Sequence, residues 1–465
     1  MNKFFILFLT AIILVPAIAA GQSADDAIQP WSKNQWYWQY KGEPVMLLGA
    51  SSDDNLFQWP AKKLIPHLDS MKMVGANYVR CTMSDRVFRG FELYPYQKIS
   101  AKKFDLNKWN KEYWERFQRF LKETAKRGII IQIEVWDRFD YSRENWPPHP
   151  YNPVNNINYT MQESGLDTVY PNHPGANDQP FFFTTPKQNT NEVVLKFQKK
   201  FVGKLLSYSL DYDNVLYCMD NETSGEEAWG AFWAEFIRGK ATEENKKVYL
   251  TEMWDDWDLK SEEHKQTFDH PERYDFCDVS QNNHQRDQAH WDNFQWVRNY
   301  ISSQPRPINT VKTYGADGGN HGTTNNAIDS WWRHILGGVA SARFHRPPSG
   351  LGLSDLTMAS VKAAREIESI VKFWNLNPDN DLLSEREENE AYLATEPGEN
   401  YVIFFPDEGE VGLNLKDFPS SFTLKWMNVR DGEWHSSKNV EGGKILNLVT
   451  PGKNEWVAVI TKQVN

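Results

Sequence analysis

The chain has 465 residues, of which 40 % are hydrophobic and 24 % charged, which is typical of a soluble globular protein with a large core. Its formal net charge is −11 and no basic run is interleaved with aromatic residues, which argues against a nucleic-acid partner. The length exceeds that of one small domain and suits a (β/α)8 barrel of roughly 250–350 residues with a smaller domain attached.

The first 20 residues have the features of a secretory signal peptide. Lys3 precedes an apolar stretch from Phe4 to Ala20, and Ala17 and Ala19 supply an A-x-A cleavage pattern. The stretch is short for a membrane span, which needs about 20 apolar residues, so we expect cleavage rather than anchoring. The sequence therefore predicts a secreted or periplasmic protein with no membrane contact after cleavage, and it leaves the oligomeric state open.

Strand and helix patterns then alternate as far as residue 374. The predicted strands cover residues 44–50, 76–82, 129–136, 214–219, 247–253, 274–280, 307–312 and 340–345. The predicted helices cover residues 62–74, 109–127, 191–209, 226–239, 291–301, 327–336 and 358–374. Eight strands in this order predict an α/β fold whose parallel sheet closes into a (β/α)8 TIM barrel over residues 21–378. An open doubly wound sheet is disfavoured because no glycine-rich phosphate loop follows the first strand.

Two segments depart from this alternation. Residues 137–185 form a long predicted loop rich in Pro, Asn and aromatic residues, and loops of that length are usually functional. After residue 379 the composition changes to short alternating runs, such as 401–405, separated by turns such as 430–432. This pattern predicts a small antiparallel β-sandwich domain over residues 379–465.

The fourth predicted strand is followed by a candidate catalytic group. Reactive groups of (β/α)8 barrels lie just beyond the C-terminal ends of the strands, and here Asn221 and Glu222 occupy that place. A glutamic acid held partly out of water suits protonation of a glycosidic oxygen, and the neighbouring amide can bond an adjacent sugar hydroxyl. A solvated glutamate at a helix N-terminus is the alternative interpretation of Glu222.

Polar and aromatic side chains follow the other predicted strands as well. They suit a carbohydrate, because each sugar hydroxyl both donates and accepts hydrogen bonds and a flat apolar ring matches the C–H side of a sugar. The expected sugar platforms are Trp136, Trp254 and Tyr314. The other predicted binding residues are Asp54, Arg80, Asp137, Asn221, Asn283, His284, Lys312 and His345. No spacing matches a metal site, so we expect neither a metal nor a cofactor.

Segments in both halves of the chain resemble one enzyme family. The stretch 197–222 resembles clan A glycoside hydrolases, and Arg80 fits the arginine that these enzymes usually carry on the second strand. The C-terminal β domain of the apiosidase-like, or collagenase-like, branch of that clan is similar to residues 390–394, 401–406 and 426–433. The resemblance implies retaining hydrolysis, with Glu222 as acid/base and a nucleophilic glutamate at the end of the seventh strand.

The seventh strand departs from the pattern of the clan. Lys312 stands where the nucleophilic glutamate is expected, and a lysine cannot form the glycosyl ester. Asp317 lies five residues further along. It is either a catalytic residue, as the nucleophile or as the base of an inverting mechanism, or a turn residue. Glu252, after the fifth strand, either takes that role or is an ion-pair partner of Lys312 or Arg80.

Two functions are compatible with these residues. The first is a secreted glycoside hydrolase that cleaves O-glycosidic bonds of an oligo- or polysaccharide, with Glu222 as acid/base and Asp317 or Glu252 as its partner. The second is a glycan-binding protein on a barrel that no longer hydrolyses its ligand, because the seventh-strand glutamate is missing. In both cases the expected partner is a carbohydrate.

Overall fold

The computed structural model describes residues 26–84, 90–317 and 321–463 of the chain. The predicted signal peptide, residues 1–20, lies outside the described residues. Within these three ranges, no helix is both long enough and apolar enough to cross a membrane.

Eight parallel strands lie where the sequence predicts them. They are β1 (Leu47–Ala50), β2 (Tyr78–Thr82), β3 (Ile130–Asp137), β4 (Val215–Asn221), β5 (Leu250–Thr251), β6 (Cys277–Asp278), β7 (Ile308–Asn309) and β8 (Ser341–Phe344). Every residue of these strands is buried, because strands joined by crossover helices are covered on both faces. The prediction of an α/β fold with a parallel sheet is confirmed.

The hydrogen-bonded ladders of these strands form two groups. One ladder has the order β5-β4-β3-β2-β1-β8, and β6 pairs with β7 in a second ladder. A backbone hydrogen bond from Asp275 to Leu250 (2.8 Å) crosses from the β6 side to β5. Another, from Ala340 to Ile308 (2.7 Å), crosses from the β8 side to β7. In the described residues the strands therefore form a six-stranded and a two-stranded ladder, whereas the sequence predicts one closed barrel.

The helices follow the predicted order. Over the described residues they are α1 (Ala61–Met73), α2 (Lys111–Arg127), α3 (Met161–Ser164), α4 (Glu192–Ser209), α5 (Glu227–Glu243), α6 (Glu262–Phe268), α7 (Asp287–Tyr300), α8 (Thr324–Leu336) and α9 (Asp355–Ile370). In α2, the Asn110 side chain accepts a hydrogen bond from the first turn, and Gly128 ends the helix in the left-handed conformation. Its apolar face, which includes Trp114, Phe117 and Leu121, is buried as the sequence predicts.

Several short elements are absent from the sequence prediction. Three antiparallel strands precede β1, at Gln29–Pro30, Trp38–Tyr40 and Glu43–Val45. A hairpin between β2 and α2 consists of Tyr96–Ser100 and Lys103–Trp109. Single 3-10 turns lie at Leu56–Gln58, Arg138–Tyr141, Arg143–Asn145, Pro174–Ala176, Pro180–Phe183, Ser280–His284, Phe373–Asn375 and Asn380–Leu382. Elements this short bury too few residues to leave a periodic signal.

The long segment after β3 is held by aromatic packing. The ring of Tyr141 stacks on that of Phe181, with centroids 4.0 Å apart. Arg138 donates a hydrogen bond to Asp220 at the end of β4 over 3.2 Å, and its guanidinium group lies over the ring of Phe182. These contacts attach the segment to the C-terminal end of β4.

Two antiparallel sheets follow α9. The larger sheet has the strand order Asn377–Pro378, Tyr392–Glu396, Asn400–Phe405, Trp456–Lys462, Ser421–Asn428 and Glu433–Glu441. The smaller sheet has the order Leu383–Ser384, Glu410–Asn414 and Ile445–Val449. The predicted antiparallel β region at the C-terminal end is thereby confirmed.

The central strands of the larger antiparallel sheet, Asn400–Phe405 and Trp456–Lys462, are buried on both faces. Successive side chains of a strand point to opposite faces, so Ile403 and Phe405 pack against the smaller sheet. Val402 and Phe404 join the core that the helices share. The ring of Phe404 stacks on Trp332 of α8, with centroids 5.9 Å apart and an interplanar angle of 13°. The C-terminal region is therefore packed against the parallel-strand region.

Phe404→Ala should lower the free energy of unfolding by about 3–5 kcal/mol, because it removes an aromatic ring from this junction. The measurement is urea denaturation followed by circular dichroism. Ser437→Ala, on the exposed edge strand, is the matched control and should change that free energy by less than about 0.5 kcal/mol. A loss below about 1 kcal/mol for Phe404→Ala would contradict the assignment of this ring to the shared core.

Candidate active site

A cavity of about 480 Å³ opens at the C-terminal ends of the parallel strands. Its lining comes from the segments that follow most of these strands, and from the long segment after β3. The lining residues are Asp54, Arg80, Phe139, His173, Asn221, Glu222, Asp255, Trp257, Gln281, His284, Tyr314, His321, His345, Arg346 and Ser349. The strand-end rule thus locates the cavity, as expected for this class of fold.

The structure brings together about half of the residues that the sequence predicts for the site. Those that line the cavity are Asp54, Arg80, Asn221, Glu222, His284, Tyr314 and His345. Two others support them from below: Asp137 accepts a hydrogen bond from the Asn221 amide over 3.2 Å, and Lys312 contacts Glu222.

Arg80 connects the ends of several strands beneath the cavity. Its Nε lies 2.6 Å from Glu134 on β3, its Nη1 lies 3.1 Å from Asp54, and its Nη2 donates to Asn221 on β4 over 2.5 Å. Burial alone would lower the pKa of Arg80, but Asp54 and Glu134 raise it, so the guanidinium stays charged. A buried charge is stable only when it is paired in this way.

Four basic side chains surround the carboxylate of Asp54. They are Arg80, Arg343, His345 and Arg346, with N···O distances between 2.8 and 3.7 Å. Burial acts to raise the pKa of Asp54, but these groups hold it well below its usual value. Asp54 is therefore a permanent negative charge that orients the arginines, rather than a group that titrates near neutral pH.

Glu222 lies at the cavity in a strained backbone conformation. Its φ of 58° is in the left-handed region, which costs a non-glycine residue about 1–3 kcal/mol. The ammonium group of Lys312, which is buried, contacts Glu222 Oε1. The lysine that replaces the expected seventh-strand glutamate is thus an ion-pair partner of the candidate catalytic carboxylate.

Asp255 is the third carboxylate of the cavity lining, after Asp54 and Glu222, and it is not among the residues that the sequence predicts. Its two oxygens accept hydrogen bonds from Ser224 Oγ over 3.2 Å and from Gln281 Nε2 over 3.1 Å. Burial raises the pKa of Asp255, and the nearby charge of Glu222 raises it further. Asp255 could have been found from the sequence, since it follows the fifth strand, but Glu252 stands closer to the end of that strand.

Trp257 provides the exposed aromatic face of the cavity. Its side chain is 56 % exposed, and its ring stacks on His284 with centroids 4.2 Å apart and an interplanar angle of 25°. An exposed, flat indole beside polar groups can cover one face of a sugar ring. The sequence predicts Trp254 for this role.

The prediction that Trp136 and Trp254 are sugar platforms is wrong. Trp136 is 1 % exposed and packs against Trp229 and Trp233, with centroids 5.9 and 5.2 Å away. Trp254 is equally buried and donates its indole N–H to Thr267 over 2.9 Å. Both rings belong to the core because large side chains fill the space between the sheet and its helices.

Glu252 and Asp317 do not line the cavity either. Glu252 is fully buried, and its Oε1 accepts hydrogen bonds from the Asp220 backbone N–H over 3.0 Å and the Thr223 hydroxyl over 2.6 Å. Burial raises the pKa of Glu252 well above its usual value, and Asp220 adds to that effect. Asp317 is exposed and accepts two hydrogen bonds from Thr324 at the start of α8. Asp317 is therefore a turn residue, which is the second of the two interpretations that the sequence allows.

Asn283 is the remaining predicted residue outside the cavity lining. It is buried, and its amide donates a long hydrogen bond of 3.5 Å to Gln281, which does line the cavity. Across residues 26–84, 90–317 and 321–463, no group of three or more His, Cys, Asp or Glu side chains is arranged to hold a metal ion.

Comparison with known proteins shows that this chain has a fold similar to that of several glycoside hydrolases. Residues 92–267 match a domain of unknown function, DUF6298, and a search among curated proteins finds no match. The structure is similar to a glycoside hydrolase family 5 protein from Bacteroides vulgatus, with a TM-score of 0.64 and 13 % identity over 94 % of both chains. A second similar structure is a glycoside hydrolase, with a TM-score of 0.61 and 11 % identity over 94 % of this chain and 97 % of that chain.

A third similar structure is a glycoside hydrolase family 5 mannosidase from Rhizomucor miehei in complex with mannosyl-fructose. Its TM-score is 0.52 and its identity 13 %, over 76 % of this chain and 99 % of that chain. At these identities the similarity shows that the chain shares the fold of these glycoside hydrolases. The assignment to the apiosidase-like branch stays a prediction.

Trp136→Ala should lower the free energy of unfolding by about 3–5 kcal/mol, because the ring is enclosed by other aromatic side chains. Trp257→Ala is the matched control: it removes the same side chain from an exposed position and should change that free energy by less than about 0.5 kcal/mol. Urea denaturation of both variants measures the difference. Equal losses would mean that the two rings have not been assigned correctly to core and cavity.

Proposed function

We propose that this protein is an exported glycoside hydrolase that cleaves an O-glycosidic bond of an oligo- or polysaccharide, with Glu222 exchanging a proton in the reaction. The observation that carries the proposal is the position of Glu222, which follows β4, lines the cavity and adjoins Asn221. Hydrolysis of a glycosidic bond uses a carboxyl group in such a place. The proposal of export to the periplasm or the medium rests on the signal-peptide pattern in residues 1–20.

The finer architecture belongs to the same proposal. The eight strands close into a (β/α)8 barrel over residues 21–378, and residues 379–465 form a β-sandwich domain. Single hydrogen bonds across both seams of the sheet, and a bridge between Thr313 and Phe344 beside β8, support closure. The similarity in fold to glycoside hydrolases supports it as well.

The chemistry of the cavity suits a sugar. Its volume of about 480 Å³ lies in the range of small-ligand sites, and most of its lining is polar. Hydroxyl groups of a sugar can both donate to carboxylates and accept from arginine and glutamine N–H groups. Trp257 supplies an apolar face for the C–H side of a ring.

A glycan-binding protein without hydrolytic activity is the second candidate. One observation favours it: Lys312 contacts Glu222 at the place where the clan resemblance puts a nucleophilic glutamate. Such a protein would keep the polar lining and the exposed Trp257, because binding requires both. It would not depend on the ability of Glu222 to exchange a proton.

The test is hydrolysis by the purified chain without residues 1–20, on a panel of plant and host oligosaccharides and aryl glycosides. Glu222→Gln should lower kcat/KM at least about 100-fold, because an amide cannot exchange the proton. Glu226→Gln, an exposed residue beside the start of α5, is the matched control and should leave kcat/KM unchanged.

If the wild-type chain releases no product from the whole panel, yet binds oligosaccharides in calorimetry as tightly as Glu222→Gln does, the glycan-binding function replaces the proposed one.

A further inference from the structure

Three arginine side chains meet at one edge of the cavity. All of them have a nitrogen between 2.8 and 3.1 Å from the carboxylate of Asp54; they are Arg80, Arg343 and Arg346. Among the described residues, the one other carboxylate that pairs with these arginines is Glu134, which lies 2.6 Å from Arg80. Three positive charges are therefore matched by at most two negative charges at this edge.

The positive excess is larger than this count, and it is local. Burial raises the pKa of Glu134 to about 7, although Arg80 opposes that effect, so Glu134 is only partly ionised near neutral pH. The chain as a whole has a net charge of −11. The cluster of arginines is therefore a feature of this edge of the cavity and not of the protein surface in general.

Arg346 is the member of the cluster that can reach a ligand. Arg343 is fully buried, and each nitrogen of the Arg80 guanidinium group already contacts a protein oxygen. The side chain of Arg346 lines the cavity and is 31 % exposed. Its Nε donates to Asp54 and its Nη1 to the carbonyl of Pro347, whereas its Nη2 donates to no atom of the described residues. The contact with Asp54 fixes the guanidinium plane and leaves N–H groups available.

A neutral donor lies in the same segment. Ser349 follows Arg346 by three residues and also lines the cavity. Its hydroxyl group makes no hydrogen bond within residues 26–84, 90–317 and 321–463. The carboxylate of Asp54 is already surrounded by basic groups, so hydrogen-bond donors exceed acceptors at this edge. An excess of donors beside a positive charge suits an oxyanion, because a carboxylate or sulfate group only accepts hydrogen bonds.

We propose that the sugar bound in this cavity carries an anionic substituent, a carboxylate or a sulfate, which Arg346 and Ser349 bind. This inference rests on the proposed function and names its substrate class, an acidic oligo- or polysaccharide. Three strands separate β8, which precedes Arg346, from β4, which precedes Glu222. The anionic group therefore lies apart from Glu222, and the rest of the sugar ring extends from Arg346 towards the candidate catalytic carboxylate.

Matched pairs of oligosaccharides test the inference on the wild-type chain without residues 1–20. Uronic acid oligosaccharides are compared with their carboxyl-reduced counterparts, and sulfated galactose oligosaccharides with their desulfated counterparts. In calorimetry the acidic member should bind at least about 10-fold more tightly, and added salt should reduce this difference. The pair that shows the difference identifies the substituent as carboxylate or sulfate. Equal or tighter binding of the neutral members, or no binding of any acidic member, would overturn the inference.

Substitution of Arg346 tests which residue recognises the charge. Arg346→Gln should raise KM for the acidic oligosaccharide at least about 10-fold and leave kcat unchanged, because a remote substituent is bound equally in the ground state and the transition state. The KM of the neutral counterpart should not change. Arg346→Lys should lose less than Arg346→Gln, since it keeps the positive charge without the planar fork.

Lys260→Gln is the matched control, because it removes one positive charge from an exposed position outside the cavity lining. It should leave both KM values unchanged. An equal rise in KM for the acidic and the neutral oligosaccharide in Arg346→Gln would contradict the assignment. If Arg346→Gln does not fold, Ser349→Ala replaces it and should raise KM for the acidic member alone.

The results separate this inference from the proposed function. Hydrolysis of neutral glycosides with no preference for acidic ones would overturn the inference and leave the proposed function intact. Tight binding of acidic oligosaccharides without hydrolysis of any of them would overturn the proposed function and support the inference.

Discussion

The geometry of the cavity depends on the buried guanidinium group of Arg80. It joins Asp54 after β1, Glu134 on β3 and Asn221 on β4, so one planar group sets the relative positions of four strand ends. Removing one partner from a buried ion pair costs about 3–5 kcal/mol, because the remaining charge stays out of water. Asn221 adjoins Glu222, so this network also determines where the candidate catalytic carboxylate stands.

The charges of the site form two groups with different consequences. The basic groups around Asp54 keep its carboxylate ionised, and this negative charge orients the neighbouring arginines. Glu222 and Asp255 both line the cavity. The ammonium group of Lys312 contacts Glu222, whereas Asp255 accepts hydrogen bonds from Ser224 and Gln281.

The aromatic residues also have two roles: some are buried and support the cavity, and others line it. Trp136 and its aromatic neighbours fill the space behind the strand ends, and Tyr141 stacks on Phe181 in the segment that follows. This packing holds the segment that carries Phe139 and His173 to the cavity. The antiparallel region packs against α8 from another side. Close packing of this kind is what keeps polar groups at the cavity in fixed positions.

The sequence by itself determined the features that repeat along the chain. The eight parallel strands follow from short continuous apolar runs, and most of the helices and the antiparallel C-terminal region follow from periodic apolar patterns, both of which local sequence records. The strand-end rule also placed Asn221 and Glu222 at the cavity, because β4 is long and its end is clear in the sequence.

Only the tertiary structure decided which side chain turns to the cavity after the short strand β5. The sequence predicts Glu252 and Trp254 for the site, whereas Asp255 and Trp257 line the cavity. The bridge between Thr223 and Trp254 sets this choice, since a shift of one residue exchanges the inward and outward faces. That bridge joins residues far apart in sequence, so no local pattern records it.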